Sequence, residues 1–193
     1  VIAVTDQFWA AHWLQQKPGG VYAYDVMTRL SADGGRTWSE PHSPHDDGTA
    51  TEHGFVSIAS LGGRPYGVWL DGRRTLGEGH DHGAGNQAAS QGAMTLRGAV
   101  LTPAGAIDGN EIDARVCDCC QTDAAVSGAA LLVVYRNRSE DETRDIQAVR
   151  LEHGVWTTPV TVHADGWRID ACPVNGPAVA ARGEEVAVAW FTA

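Results

Sequence analysis

Basic residues are scarce in this chain. Its 193 residues hold 14 Lys and Arg against 24 Asp and Glu, a formal charge of −10. Nucleic acid and anionic membrane surfaces both call for a basic face, so neither is expected as a partner. Long apolar runs are missing too: none approaches the roughly 18 residues of a membrane-spanning helix. Stretches with helical periodicity are nearly lacking. The chain opens Val1-Ile2-Ala3-Val4, with no Met and no basic leader, so any signal peptide is expected to be already absent. Glycine is abundant at 23 residues. Many short strands joined by tight turns are therefore expected, with enough chain for one sizeable core.

The chain repeats itself. Apolar runs without polar alternation occur at Val1–Thr5, Phe55–Ala59, Ala124–Ala129 and Pro177–Ala181. A second apolar run follows each after a short turn: Phe8–Leu14, Tyr66–Leu70, Leu131–Tyr135 and Val186–Phe191. More alternating strands come next, at Val21–Leu30, Ala93–Leu101 and Arg144–Leu151. Trp13, Trp69 and Trp190 fall at corresponding places in the second runs and are expected to be buried between units. The spacing is about 50 to 65 residues, the length of a propeller blade. His45-Asp46-Asp47-Gly48 in the first unit is matched by His163-Ala164-Asp165-Gly166 in the third.

Ser31-Ala32-Asp33-Gly34-Gly35-Arg36-Thr37-Trp38 predicts a hairpin. The glycines reach positive φ without a Cβ clash, and the Ser31 and Asp33 oxygens can satisfy turn amides. Trp38 enters the next strand as a large apolar plug. The segment reads S-x-D-x-G-x-T-W and resembles the Asp-box of sialidase-like (BNR-repeat) β-propellers. The stretch from His163 to Pro177 is also similar to sialidase-like bacterial proteins. The resemblance implies an all-β fold of β-propeller blades, about three and a half of them, forming part of a six-bladed sialidase-like propeller. A β-sandwich is the alternative, but it leaves the repeat unexplained. Residues 1–193 are read as a single propeller region, with blades at about 1–50, 51–118 and 119–171 and a partial blade at 172–193. Either the chain is a fragment, or two copies pair as a homodimer to complete a ring.

On that map the loops before each inner strand, and those joining second and third strands, share one face. They carry all four cysteines and the ionisable clusters. Cys117, Cys119, Cys120 and Cys172 allow two readings. One is disulfides, for example Cys119 with Cys172, holding neighbouring blades of a secreted protein. The other is a soft-metal site for Zn or Cu, with His53, His80 or His82 as further ligands. In either case Cys172 is expected to approach the Cys117–Cys120 loop, on the face that carries His53. Sialidases clamp the substrate carboxylate with three arginines, because guanidinium offers a planar fork. Arg136, Arg138 and Arg144 are the candidates here, together with Asp141, Trp167 and Asn175. The family takes its arginines from different blades, whereas these three share one. Glu140, Asp141, Glu142 and Asp145 could instead neutralise them. The family's early Arg-Ile-Pro motif is missing, Arg168-Ile169-Asp170 being the nearest string, and no Tyr-Glu couple can be assigned.

Three functions follow as expectations. The first is a glycoside hydrolase or glycan-binding propeller acting on exposed sugars at its central face. The second is a metal-binding propeller. The third is a protein-interaction scaffold. Carbohydrate or a small molecule is the expected ligand, and a periplasmic or secreted location is expected.

Overall fold

The computed structural model describes residues 1–76 and 92–193. The loop carrying His80 and His82 lies outside the described residues. Within them the chain is all-β, apart from one short 3-10 turn at Arg73–Thr75. The first sheet holds β1 (Ile2–Ala3), β2 (Trp9–Gln16) and β3 (Tyr24–Ser31). The second holds β4 (His53–Leu61), β5 (Arg64–Asp71), β6 (Thr95–Thr102) and β7 (Gly105–Asp113). The third holds β8 (Asp123–Ser127), β9 (Ala130–Arg136) and β10 (Ile146–Glu152), with β11 (Val155–Trp156) and β12 (Val160–His163) both on β10. β13 (Ala178–Arg182) and β14 (Glu185–Ala189) form the fourth.

Every pairing is antiparallel, and each sheet meanders outward from its first strand. The first strands lie side by side, β1 against β4, β4 against β8 and β8 against β13. That succession of fanned meanders is a partial β-propeller, the all-β blade architecture that the repeat predicts. The largest apolar cluster joins the second and third sheets, with Val68, Leu70, Met94 and Leu96 facing Leu131, Val133, Tyr135, Val149 and Leu151. Every residue of β9 is buried, which is why its run Leu131–Tyr135 shows no polar alternation.

The Ser31–Trp38 hairpin forms as the spacing predicts. Asp33 accepts from the Thr37 amide at 2.8 Å and the Thr37 hydroxyl at 2.6 Å. The Ser31 hydroxyl donates to Asp33 at 2.8 Å and accepts from the Gly35 amide at 2.8 Å. The Thr37 hydroxyl, its amide and Ser31 together hold the Asp33 carboxyl down at about 2. Gly35 has φ 84°, and a Cβ there would stand 3.0 Å from the Trp9 ring.

The tryptophan expectation holds for one residue of three. Trp69 is 1% exposed. Trp13 is 36% exposed, because no neighbouring sheet covers the second half of β2, from Trp13 to Gln16. Trp190 is half-buried and donates its indole N–H to Asp165 at 2.7 Å.

Candidate functional site

The loops ahead of β4, β8 and β13, residues 72–76 after β5 and the loop after β9 meet on one face. His53 opposes Asp71 across β4 and β5, and the Cys117 amide donates to the Arg136 carbonyl. Phe55, two residues beyond His53, and Cys172 both pack against the cluster of Cys117, Cys119 and Cys120. The cysteines and His53 therefore belong to the same side of the fold.

The four cysteines form two disulfides, Cys117–Cys120 and Cys119–Cys172, with Cα atoms 5.7 and 6.1 Å apart. The second ties the third sheet to the segment that leads into the fourth. In this state the sulfurs offer no thiolate to a soft metal, so cysteine ligation is confined to a reduced chain.

The arginines are engaged from within. Arg136 is 1% exposed. It donates to the Asn175 carbonyl and side-chain oxygen, the Phe191 carbonyl and the Arg144 carbonyl, at 2.6–3.0 Å. Its guanidinium also lies 4.7 Å from the centre of the Trp167 ring. Arg136, Asn175 and Trp167 thus join the third sheet to the fourth. Arg144 is buried, donating to Glu142 at 2.7 Å and to the Cys117 sulfur at 3.2 Å. Arg138 bridges Asp118 at 2.7 Å and Glu142 at 2.9 Å and keeps 24% of its side chain exposed. Asp141 is mostly exposed, and its carboxylate accepts from Ser139 and Thr143 of its own loop.

Two groups on this face are not assembled by sequence reasoning, which names among their members only His53 as a candidate ligand and His45-Asp46-Asp47-Gly48 as a repeated string. The first is Glu52 with Asp118. Burial, and then the charge of Asp118, push the Glu52 carboxyl up to about 7. No motif marks this pair, since the two residues are 66 positions apart (118 − 52) and meet only because β4 lies beside β8.

The second group lies between the first and second sheets. The His53 ring is fully buried, with Nδ1 against the Tyr24 carbonyl at 3.0 Å. Its Nε2 stands 3.1 Å from Asp47 Oδ2 and 3.6 Å from Asp71 Oδ1. His45 stacks on His53 with ring centres 3.9 Å apart. His45 Nε2 accepts from the Val26 amide, so Nδ1 carries the proton and donates to Asp47 at 3.0 Å. Burial, followed by the neighbouring His53, lowers the His45 pKa. Arg73 grips both oxygens of Asp71 at 2.7 Å, and the Trp69 indole donates to Asp71 at 3.0 Å. Burial raises the Asp71 pKa, but Arg73, His53 and Trp69 together outweigh it and keep the carboxyl ionised. Beside the cluster is a cleft of about 390 Å³ whose walls include His45, Trp69, Arg73 and Arg97. The His45-to-Gly48 motif could have pointed to half of this cluster, but Asp71 and Arg73 carry no such signal.

No protein-family model matches the chain, and no curated protein is significantly similar to it. Among solved structures it is similar to the crystal structure of α-L-arabinofuranosidase from Lactobacillus brevis, with a TM-score of 0.45 and 10% identity. The match covers 86% of this chain and 54% of that one. The chain thus spans about half the length of that protein, and so distant a likeness carries no argument about activity.

Proposed function

We propose that this chain forms part of a sialidase-like propeller that acts on carbohydrate as a glycoside hydrolase, with Glu52 and Asp118 as its working carboxyl groups. The observation that carries the reading is that the charge of Asp118, ahead of β8, reaches Glu52, ahead of β4, and adds to the burial that pushes its carboxyl up to about 7, while Asp118 is held at 2.7 Å by the partly exposed Arg138. Most glycoside hydrolases use two carboxyl groups, one to protonate the leaving oxygen and one to stabilise or attack the anomeric carbon, whereas sialidases attack with a tyrosine. Glu52, whose carboxyl is pushed up to about 7, takes the acid role, and Asp118, paired with Arg138, takes the second. Arg138 is the arginine with surface left to meet an anionic sugar. The fold and the Ser31–Trp38 hairpin agree with the sialidase-like resemblance, although fold alone does not specify a reaction. Two disulfides favour a periplasmic or secreted location.

The test is hydrolysis of a panel of fluorogenic glycosides, sialoside included, by the wild type and by Glu52→Gln and Asp118→Asn. Turnover abolished by either substitution in a folded protein supports the reading. Absence of both turnover and glycan binding across the panel removes it.

A further inference from the structure

We infer that Asp47, His53 and Asp71 form a binding site for a divalent transition-metal cation of the zinc or manganese class, buried between the first and second sheets. This site is separate from the Glu52–Asp118 rim and uses none of the cysteines.

The central observation is His53 Nε2. The ring is fully buried, yet this nitrogen has no aligned hydrogen-bond partner. The opposite nitrogen donates to the Tyr24 carbonyl, which can only accept, so in the neutral ring Nε2 is the nitrogen that offers a lone pair. A buried ring nitrogen without a partner costs stability unless something occupies that direction. The two carboxylate oxygens flank the nitrogen instead of lying on its axis, at 3.1 and 3.6 Å. Those separations suit ligands of one ion. Atoms about 2.0–2.2 Å from a metal, at angles between right and tetrahedral, stand roughly 2.8–3.6 Å from each other. The three ligand atoms all lie within 4.8 Å of one another.

The surroundings hold the ligands in place as an outer shell does. His45 Nδ1–H and Thr49 fix Asp47, the Thr49 amide donating at 2.9 Å. Trp69 and Arg73 fix Asp71. Asp71 Oδ1 already accepts from Arg73 Nε at 2.7 Å and from the Arg73 amide at 3.2 Å, so a cation there takes the place of the longer amide contact. Arg73 also comes within 3.4 Å of Asp47 Oδ2. The guanidinium therefore lowers the net anionic charge of the site and limits its affinity. Imidazole with two carboxylates suits Zn²⁺ or Mn²⁺; Cu(I) prefers sulfur. The neighbouring cleft is walled by His45 and Arg73, which contact the ligands from outside.

The test uses the full chain with both disulfides intact and no thiol left to label. Zn²⁺ and Mn²⁺ are each titrated calorimetrically while the His53 ring nitrogens are followed by ¹⁵N NMR. The expected result is uptake of a single equivalent with a shift of the Nε2 resonance. Asp47→Asn and His53→Gln should weaken uptake on the order of tenfold or more. The NMR arm needs no variant, so a variant that fails to fold does not spoil the test. Three results would each overturn the site. One is no uptake by the folded wild type, and another is uptake unchanged in the variants. The third is a doubly protonated His53 that ignores added metal, which would make the cluster a plain ion-pair network.

Discussion

His45–Asp47 and His163–Asp165 are one short motif met twice. In both, histidine Nδ1 lies 3.0 Å from the aspartate two residues on. The His45 side chain is 3% exposed and that of His163 is 68% exposed. The neighbouring sheet makes the difference. After the first motif comes β4–β5, which brings His53, Asp71 and Arg73 against the pair. After the second comes β13–β14, which brings only the Trp190 indole to Asp165. Measured along the chain from the turn glycines Gly62 and Gly183, Val174 and Thr192 stand where His53 and Asp71 do. Local spacing writes the histidine–aspartate contact. Burial by the next sheet turns that contact into an ionic cluster.

The comparison is broken most directly at the tryptophans. Trp69→Ala should cost about 3–5 kcal/mol in denaturant unfolding, the range for emptying a buried aromatic site. Trp190→Ala, at the same place in the less buried joint, should cost under about 1 kcal/mol. Equal losses would mean that the two joints are packed alike.

Next in size is the disulfide beside the second joint. Cys119 and Cys172 are 53 residues apart in sequence and Cys117 and Cys120 only 3. On loop length alone, Cys172→Ser should cost about 4 kcal/mol and Cys120→Ser about 2 kcal/mol. Hydrogen exchange should show the larger loss concentrated in β13 and β14. Uniform loosening would show that Arg136 holds this joint without help from the disulfide.

Asp47→Asn should destabilise by about 2 kcal/mol, since it leaves buried donors facing a neutral group. Asp165→Asn should stay within about 0.5 kcal/mol. Thermal melts of the two variants side by side would measure the contribution of the next sheet.

The last expected effect is one of pH. Glu52 titrates at about 7 in the folded protein, above the roughly 4.3 of an unfolded chain. The folded state holds this proton more tightly. Its contribution is complete below about 4.3 and is lost as the pH rises through about 7. Glu52→Gln should flatten that slope in denaturant midpoints taken across the range. A wild type with no slope there would place Glu52 in open solvent.

The second sheet was legible because its apolar runs are long and its turn at Gly62-Gly63 is plain. The Ser31–Trp38 hairpin was legible because the Ser31 and Asp33 side-chain bonds that shape its turn lie within eight residues. The approach of Cys172 to the Cys117–Cys120 loop followed from the register of successive units. The fates of Arg136 and Trp13 were not legible. Arg136 is taken up by carbonyls 8, 39 and 55 positions away, and Trp13 stays exposed for want of a sheet to cover it.

What the sequence by itself determined is the set of features carried by short-range spacing. These are strands from unbroken apolar runs, turns from glycine and aspartate, and the two histidine–aspartate contacts. Only the tertiary structure decided which of these features became buried. It set Glu52 beside Asp118, turned the arginines inward, and enclosed His53 between two carboxylates. The physical reason is that burial and charge pairing depend on residues distant in the chain. Those residues meet only once neighbouring sheets have packed.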